Sequence, residues 1–205
     1  KLCVTWQDDF NYQLFYRIYD VATSSWGPQT VLQNTTGYQG GAGTDYIWPG
    51  GNSITADDNG NFHAFYCYAG KNYGGANTWN NVVAYRRYNV GTGTWSAKVE
   101  VTDNVSADAT AYITTASYDS NNNAIWVFMA YTNRVAGGAM ILCGGYALDS
   151  ASWATWYGAR SGTGPTASYQ VSAAAINSRF AIGAFFRSSP NHLMVGAHRF
   201  MPPPA

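Results

Sequence analysis

Apolar and aromatic residues fall in short runs of seven to ten, with partial alternation, separated by clusters of Gly, Asn, Asp, Ser and Thr. Such runs read as β-strands, because β-branched and aromatic side chains suit a pleated, half-buried surface. No stretch carries a helical period with caps. One motif recurs three times with the same internal spacing: Tyr19-Asp-Val-Ala-Thr-Ser-Ser-Trp26, Tyr88-Asn-Val-Gly-Thr-Gly-Thr-Trp95 and Tyr146-Ala-Leu-Asp-Ser-Ala-Ser-Trp153. A strand-like segment precedes each copy, at Gln13–Tyr19, Asn81–Tyr88 and Ala139–Tyr146, and a fourth, His192–Phe200, runs into Met201 and three prolines. Ahead of the last three of these segments lies a strand–turn–strand pair. The turn Asp58-Asn-Gly-Asn61 is a hairpin signal, since Gly and Asn accept positive φ.

Each unit therefore reads as four antiparallel strands, A to D. Strand A lies near Ile54, Ile113 and Val171, strand B ends near Tyr68, Tyr131 and Phe186, strand C ends at the motif Tyr, and strand D begins at or just after the motif Trp. A lone four-stranded sheet leaves a face uncovered, so repeated sheets must stack. Four strands per repeat is the pattern of a propeller blade. The expected fold is all-β, a β-propeller of about four blades over 1–35, 52–102, 111–160 and 168–201. Lys1–Trp6 reads as a strand B, so the first unit lacks strand A, and the last lacks strand D, for fourteen strands in all. Three arrangements fit: a fragment of a larger propeller, a compact four-bladed ring with two trimmed blades, or chains that complete each other's ring. The first and third are favoured because Lys1 begins inside a strand and is not a Met, which points to a removed leader or a longer protein.

The run Ile54-Thr-Ala-Asp-Asp-Asn-Gly-Asn-Phe-His-Ala-Phe-Tyr66, followed by the motif ending at Trp95, resembles sialidase-like propellers with bacterial neuraminidase repeats. That family carries an Asp box, Ser-x-Asp-x-Gly-x-Thr-Trp, at the C-to-D turn. Here Ser25-Trp26, Thr94-Trp95 and Ser152-Trp153 match its end, while its Asp and Gly are missing from all three copies. The resemblance spans nearly the whole chain and implies the fold rather than an activity. A sialidase also needs an arginine triad, a Tyr nucleophile with a Glu partner and an Asp acid/base. Glu100 is the only Glu, it falls on an expected outer strand, and an Arg-Ile-Pro motif is absent.

Composition narrows the partners. Charged residues are 11% of the chain against roughly 25% in an average soluble protein. The surface must be covered by Asn, Thr, Ser, Gly and Tyr, which suits an extracellular, cell-surface or virion protein. Net charge is zero and the longest cationic run is Arg86-Arg87, which argues against nucleic acid. No apolar run approaches the roughly 20 residues of a membrane helix, so insertion is not expected. Cys3, Cys67 and Cys143 form no CxxC pair and read as buried free thiols on strands, with one disulfide plus a free Cys as the alternative. Asn34-Thr-Thr36 and Asn104-Val-Ser106 are glycosylation sequons, meaningful in a eukaryotic secretory setting.

Aromatic residues and one acidic turn offer candidate chemistry. The repeated pairs Tyr19 and Trp26, Tyr88 and Trp95, Tyr146 and Trp153 read as packing elements of the repeat. Aromatics outside the repeat are better ligand candidates. They are Tyr46 and Trp48, beside Asp45 and Pro49, in the Gly-rich segment 37–51, and Tyr73 and Trp79 in segment 70–80. Flat aromatics stack on sugar C–H faces while neighbouring amides and carboxylates bond the hydroxyls. The cluster Asp57-Asp-Asn-Gly-Asn61 offers oxygens to Ca²⁺ but is too short for a full loop, so no cofactor is assigned. The expected function is a non-catalytic extracellular recognition or adhesion module for a glycan or cell-surface polysaccharide. The alternatives are a self-assembling structural component of a surface or virion, and a truncated sialidase-like hydrolase or polysaccharide lyase. A homo-oligomer, or the rest of a larger propeller, is the expected protein partner.

Overall fold

The structure is a computed structural model. It describes residues 1–8, 13–33, 46–70, 80–100, 109–133, 138–149, 152–153, 157–163, 171–177, 180–188 and 191–199. Among these every regular element is a strand. The first sheet holds β1 (Leu2–Asp8), β2 (Gln13–Asp20), β3 (Ser25–Trp26) and β4 (Thr30–Gln33). The second holds β5 (Tyr46–Ala56), β6 (Phe62–Gly70), β7 (Asn80–Asn89), β8 (Thr94–Trp95) and β9 (Val99–Glu100). The third holds β10 (Ala109–Asp119), β11 (Ala124–Asn133), β12 (Gly138–Ala147), β13 (Ser152–Trp153) and β14 (Tyr157–Thr163). The fourth holds β15 (Val171–Asn177), β16 (Phe180–Ser188) and β17 (Asn191–Arg199). Pairing within each is antiparallel; the second and third are two halves of one ten-stranded sheet, joined by a single parallel bridge, Thr110 opposite Asn81. No helix among the described residues is long and apolar enough to cross a membrane.

The repeat read from the sequence is a repeat of register. Tyr19 pairs with Trp26, Tyr88 with Trp95, and Tyr146 with Trp153. One difference recurs: strand D is split in two in the first and second sheets. After Trp26 the ladder stops until Thr30, and after Trp95 until Val99. Pro28 has no N–H to give to a ladder. A side chain also intervenes: Arg17 Nε donates to Gly27 O at 2.9 Å, and Arg86 Nε to Ser96 O at 2.9 Å. The arginine takes the carbonyl that continues a regular ladder.

The turn inside the motif explains its spacing. Asp20 Oδ1 accepts the N–H of Ala22 at 2.9 Å, and Asn89 Oδ1 accepts those of Gly91 and Thr92 at 2.9 and 3.1 Å. Two hydroxyl pairs then bridge the turn, Thr23 with Ser25 at 2.8 Å and Thr92 with Thr94 at 2.9 Å. The residue between them is left-handed in both copies, Ser24 at φ 50° and Gly93 at φ 71°. Asp and Asn make such local bonds readily. The third copy has Ala147 at that first position.

Strand β6 shows where the core sits. Phe62 through Cys67 are buried without interruption, so both faces of the strand are covered. Ala64 and Tyr66, with Ala84 of β7, pack on Leu14 and Leu32 of the first sheet. Phe65 and Cys67, with Val83 and Tyr85, pack on Ile125 and Val127 of the third. The two-residue period of a strand thus sends alternate side chains into two different cores. Hydrogen bonds lock both joints: Tyr66 O–H donates to Gln33 Oε1 at 3.0 Å, and Ala116 N–H donates to Ser53 Oγ at 2.9 Å. Strands β10 and β11 continue the series onto β15. Cys3 and Cys67 are free thiols, each pushed up to about 12 by burial, and Cys143 lies on β12.

Candidate functional site

The second sheet has two unlike ends. One is closed by the turn 57–61, and the other carries the aromatic-rich segments.

At the closed end a chain of buried polar groups forms. Gly60, at φ 76°, turns the backbone, and its N–H donates to Asp57 O at 2.9 Å. The Asp57 carboxylate accepts from Asn61 N–H at 2.8 Å and from Asn61 Nδ2 at 2.9 Å. His63 Nε2 lies 3.2 Å from Asp57 Oδ2, and His63 Nδ1 lies 2.8 Å from Tyr85 Oη. His63 sits on the same face as Phe65 and Tyr85, in the joint with the third sheet, and is fully buried. Burial holds its imidazole below the usual 6.5, outweighing the opposing pull of Asp57. The neutral ring therefore assigns itself: Nε2–H donates to Asp57, and Nδ1 accepts the Tyr85 O–H. Burial raises the Asp57 carboxyl, but the bonds from Asn61 and His63 outweigh it and hold the group below 3.8.

An Asp–His–Tyr chain has the look of proton-relay chemistry. Here it is sealed between two sheets, and a general base must reach the proton it takes. Its work is to satisfy the hairpin's buried polar atoms. The third sheet meets the same need differently: Trp126 Nε1 donates to the buried Asp119 carboxylate at 3.3 Å, and Asn122 Nδ2 donates to it at 2.8 Å. From the sequence the turn offers oxygens to a cation, and His63 carries no assigned role. Three N–H donors already occupy Asp57, and among the described residues no three His, Cys, Asp or Glu side chains gather to hold a metal. The usable signal was the pairing of an Asp at a hairpin turn with a lone His in the following apolar run.

The other end carries two of the expected ligand residues, Tyr46 and Trp48. Tyr46 pairs with Ala69 and Ile47 with Tyr68, then the register jumps and Asn52 pairs with Tyr66. Four residues, Trp48-Pro-Gly-Gly51, thus stand opposite Cys67 alone. Pro49 cannot donate to a ladder, and bulges of this kind re-aim side chains at the ends of sheets. Tyr46 and Trp48, expected in a loop, therefore lie on β5. Gly70 pairs with Asn80, so the connection 71–79 leaves the same end. Asp45, Tyr73 and Trp79 lie outside the described residues. Another irregularity falls at the corresponding end of the third sheet, where Tyr112 is skipped between Ala111 and Ile113.

Of the repeat aromatics, Trp95 is a packing group. Its ring stands edge-on to Tyr16 of the first sheet at 5.3 Å and tilts against Tyr88 at 5.3 Å. Trp26 makes the same tilted pair with Tyr19 at 5.2 Å but is exposed. Tyr146 and Trp153 are placed here by their pairing alone. Compared with known protein families and with curated proteins, the chain matches none.

Proposed function

We propose that this chain is a β-propeller-type recognition module, extracellular or on a cell surface, that binds a neutral glycan at the open end of its second sheet. The observation that carries the reading is the backbone register. It gathers the Tyr46–Gly51 stretch and both ends of the connection with Tyr73 and Trp79 at one end of one sheet. The segments are rich in Gly, Asn and aromatics and poor in charge, which suits hydroxyl-rich, uncharged rings.

A propeller arrangement is supported by the run of stacked sheets. Strands β5, β10 and β15, each the first of its sheet, neighbour one another in that order, as inner strands around an axis do. The likeness to sialidase-type repeats bears on this arrangement alone. A hydrolytic role is disfavoured, because the one Asp–His–Tyr chain among the described residues is sealed and the chain's single Glu, Glu100, lies on the outer strand β9.

A glycan array probed with the wild-type chain and with Trp48→Ala and Trp79→Ala tests the reading. Losing one stacking ring removes about 1–1.5 kcal/mol, so affinity falls on the order of tenfold in each variant. Wild-type binding no stronger than background, or binding indifferent to both substitutions, defeats the proposal.

A further inference from the structure

The core between the first and second sheets ends in a polar rim, at the point where β5 leaves its bulge. Ile54 of β5 still packs on the cluster of Leu14, Leu32 and Tyr66. Asn52 shares its face by the two-residue period of a strand. It is the first residue to rejoin the ladder after Trp48–Gly51, opposite Tyr66. Here hydroxyl groups take over from apolar contacts. Thr5 of β1 donates its hydroxyl to Asn52 Oδ1 at 2.9 Å, and the Tyr66 O–H goes to Gln33 Oε1 at 3.0 Å.

The direction of the Thr5 bond decides what Asn52 can do. A carboxamide has an oxygen that accepts and a nitrogen that donates twice. With its oxygen held by Thr5, Asn52 turns Nδ2 away from that bond, and neither of the two N–H groups has a partner among the described residues. Asn52 is only half-buried, at the foot of the bulge. Water satisfies such donors in the free chain, and an oxygen-bearing solute can replace that water.

The next residue fastens the same place on its other side. Ser53 points to the opposite face of β5, where its Oγ accepts the Ala116 N–H of β10 at 2.9 Å. Two consecutive residues thus tie the foot of the bulge to the first sheet and to the third. Groups held in this way lose little freedom when a ligand arrives, which favours affinity. We infer that Asn52 contacts ligand at the glycan site, donating from Nδ2 to a sugar hydroxyl or ring oxygen, and that Thr5 is the positioning residue that aims it. This inference rests on the glycan reading and deepens it. A neutral sugar oxygen fits these donors, whereas an ammonium group has no lone pair to offer them.

The variants Asn52→Ala, Thr5→Val and Thr5→Ser test it. Each is probed on an array of uncharged oligosaccharides and, with no sugar present, by backbone amide hydrogen exchange from Ile47 to Ser53. Asn52→Ala is expected to weaken array binding about three- to tenfold, the loss of one hydrogen bond. Thr5→Val should weaken it about two- to threefold, and Thr5→Ser should restore it. In the Asn52→Ala background Thr5→Val should change nothing more, because the group it aims is gone; a merely structural hydroxyl would weaken both backgrounds alike. Without sugar, amide exchange at the foot of the bulge should quicken in Thr5→Val and not in Thr5→Ser. Should Asn52→Ala not fold, Asn52→Asp keeps an oxygen for Thr5 and replaces the two N–H donors by an acceptor. Wild-type binding that survives the Asn52 substitutions, or an equal Thr5→Val effect in both backgrounds, overturns this inference and leaves the glycan reading standing. An array silent for the wild-type chain defeats that reading and this inference with it. Unchanged amide exchange in Thr5→Val overturns the role of Thr5 by itself.

Discussion

His63 is the residue on which the closed end of the second sheet turns. It is neutral and buried between Asp57 and Tyr85, and protonation has to take place where water does not reach. A histidine held below its usual 6.5 leaves stability intact above that value and erodes it as pH falls further, because the unfolded chain then binds the extra proton. Asp57, held below 3.8, adds a second loss as pH falls through its own lowered range. Chemical denaturation followed from pH 8 downward should therefore show stability falling from about pH 6.5, and more steeply below about pH 4. Tyr85→Phe leaves Nδ1 buried without a donor, and a loss of about 1–3 kcal/mol is expected at neutral pH. A flat profile above pH 5, or a silent Tyr85→Phe, would contradict this assignment of protons. The turn Asp57–Asn61 was legible as a hairpin from its Asp-Asn-Gly run. The tie to Tyr85 was not, because it spans 22 residues and depends on which face β6 and β7 share.

At the scale of the strand, register carries the argument. The motif's spacing was read correctly as strand, turn and strand. What was not legible is the break in strand D of the first and second sheets, since it needs an arginine side chain folded back onto a carbonyl. Nor was the difference between Arg17 and Arg86 visible, as both precede a motif Tyr by two residues. Their positions predict unequal effects. Arg86→Ala removes a charge-assisted bond to Leu32 O, and the chain should lose about 1.5–3 kcal/mol in thermal or chemical unfolding. Arg17→Ala, on an open face, should lose less than 1 kcal/mol in the single chain. Equal losses would mean that the two arginines sit in equivalent surroundings after all. The expected loop over 37–51 likewise gave way in part to strand. A Gly- and Pro-containing stretch reads as a turn signal until a partner strand fixes it, here through Tyr46 and Ile47 against Ala69 and Tyr68.

Among the described residues, the second sheet supplies half of two cores. Phe65 needs Ile125 and Val127 from the next sheet, and Tyr66 needs Leu14 and Leu32 from the one before. Such a series is stable through its neighbour contacts rather than through any one unit. A fragment comprising residues 46–100 should accordingly show no cooperative thermal transition, while the full chain melts cooperatively; a sharp transition in the fragment would refute the shared-core account. The sequence by itself determined the strands, their turns and the repeat, because alternation, turn residues and the Tyr–Trp spacing are local properties of the chain. Which copy of a repeated residue is packed against a neighbour and which is exposed was decided by tertiary structure alone. Identical motifs carry identical local instructions, and only the presence or absence of a neighbouring sheet distinguishes Trp95 against Tyr16 from the open Trp26.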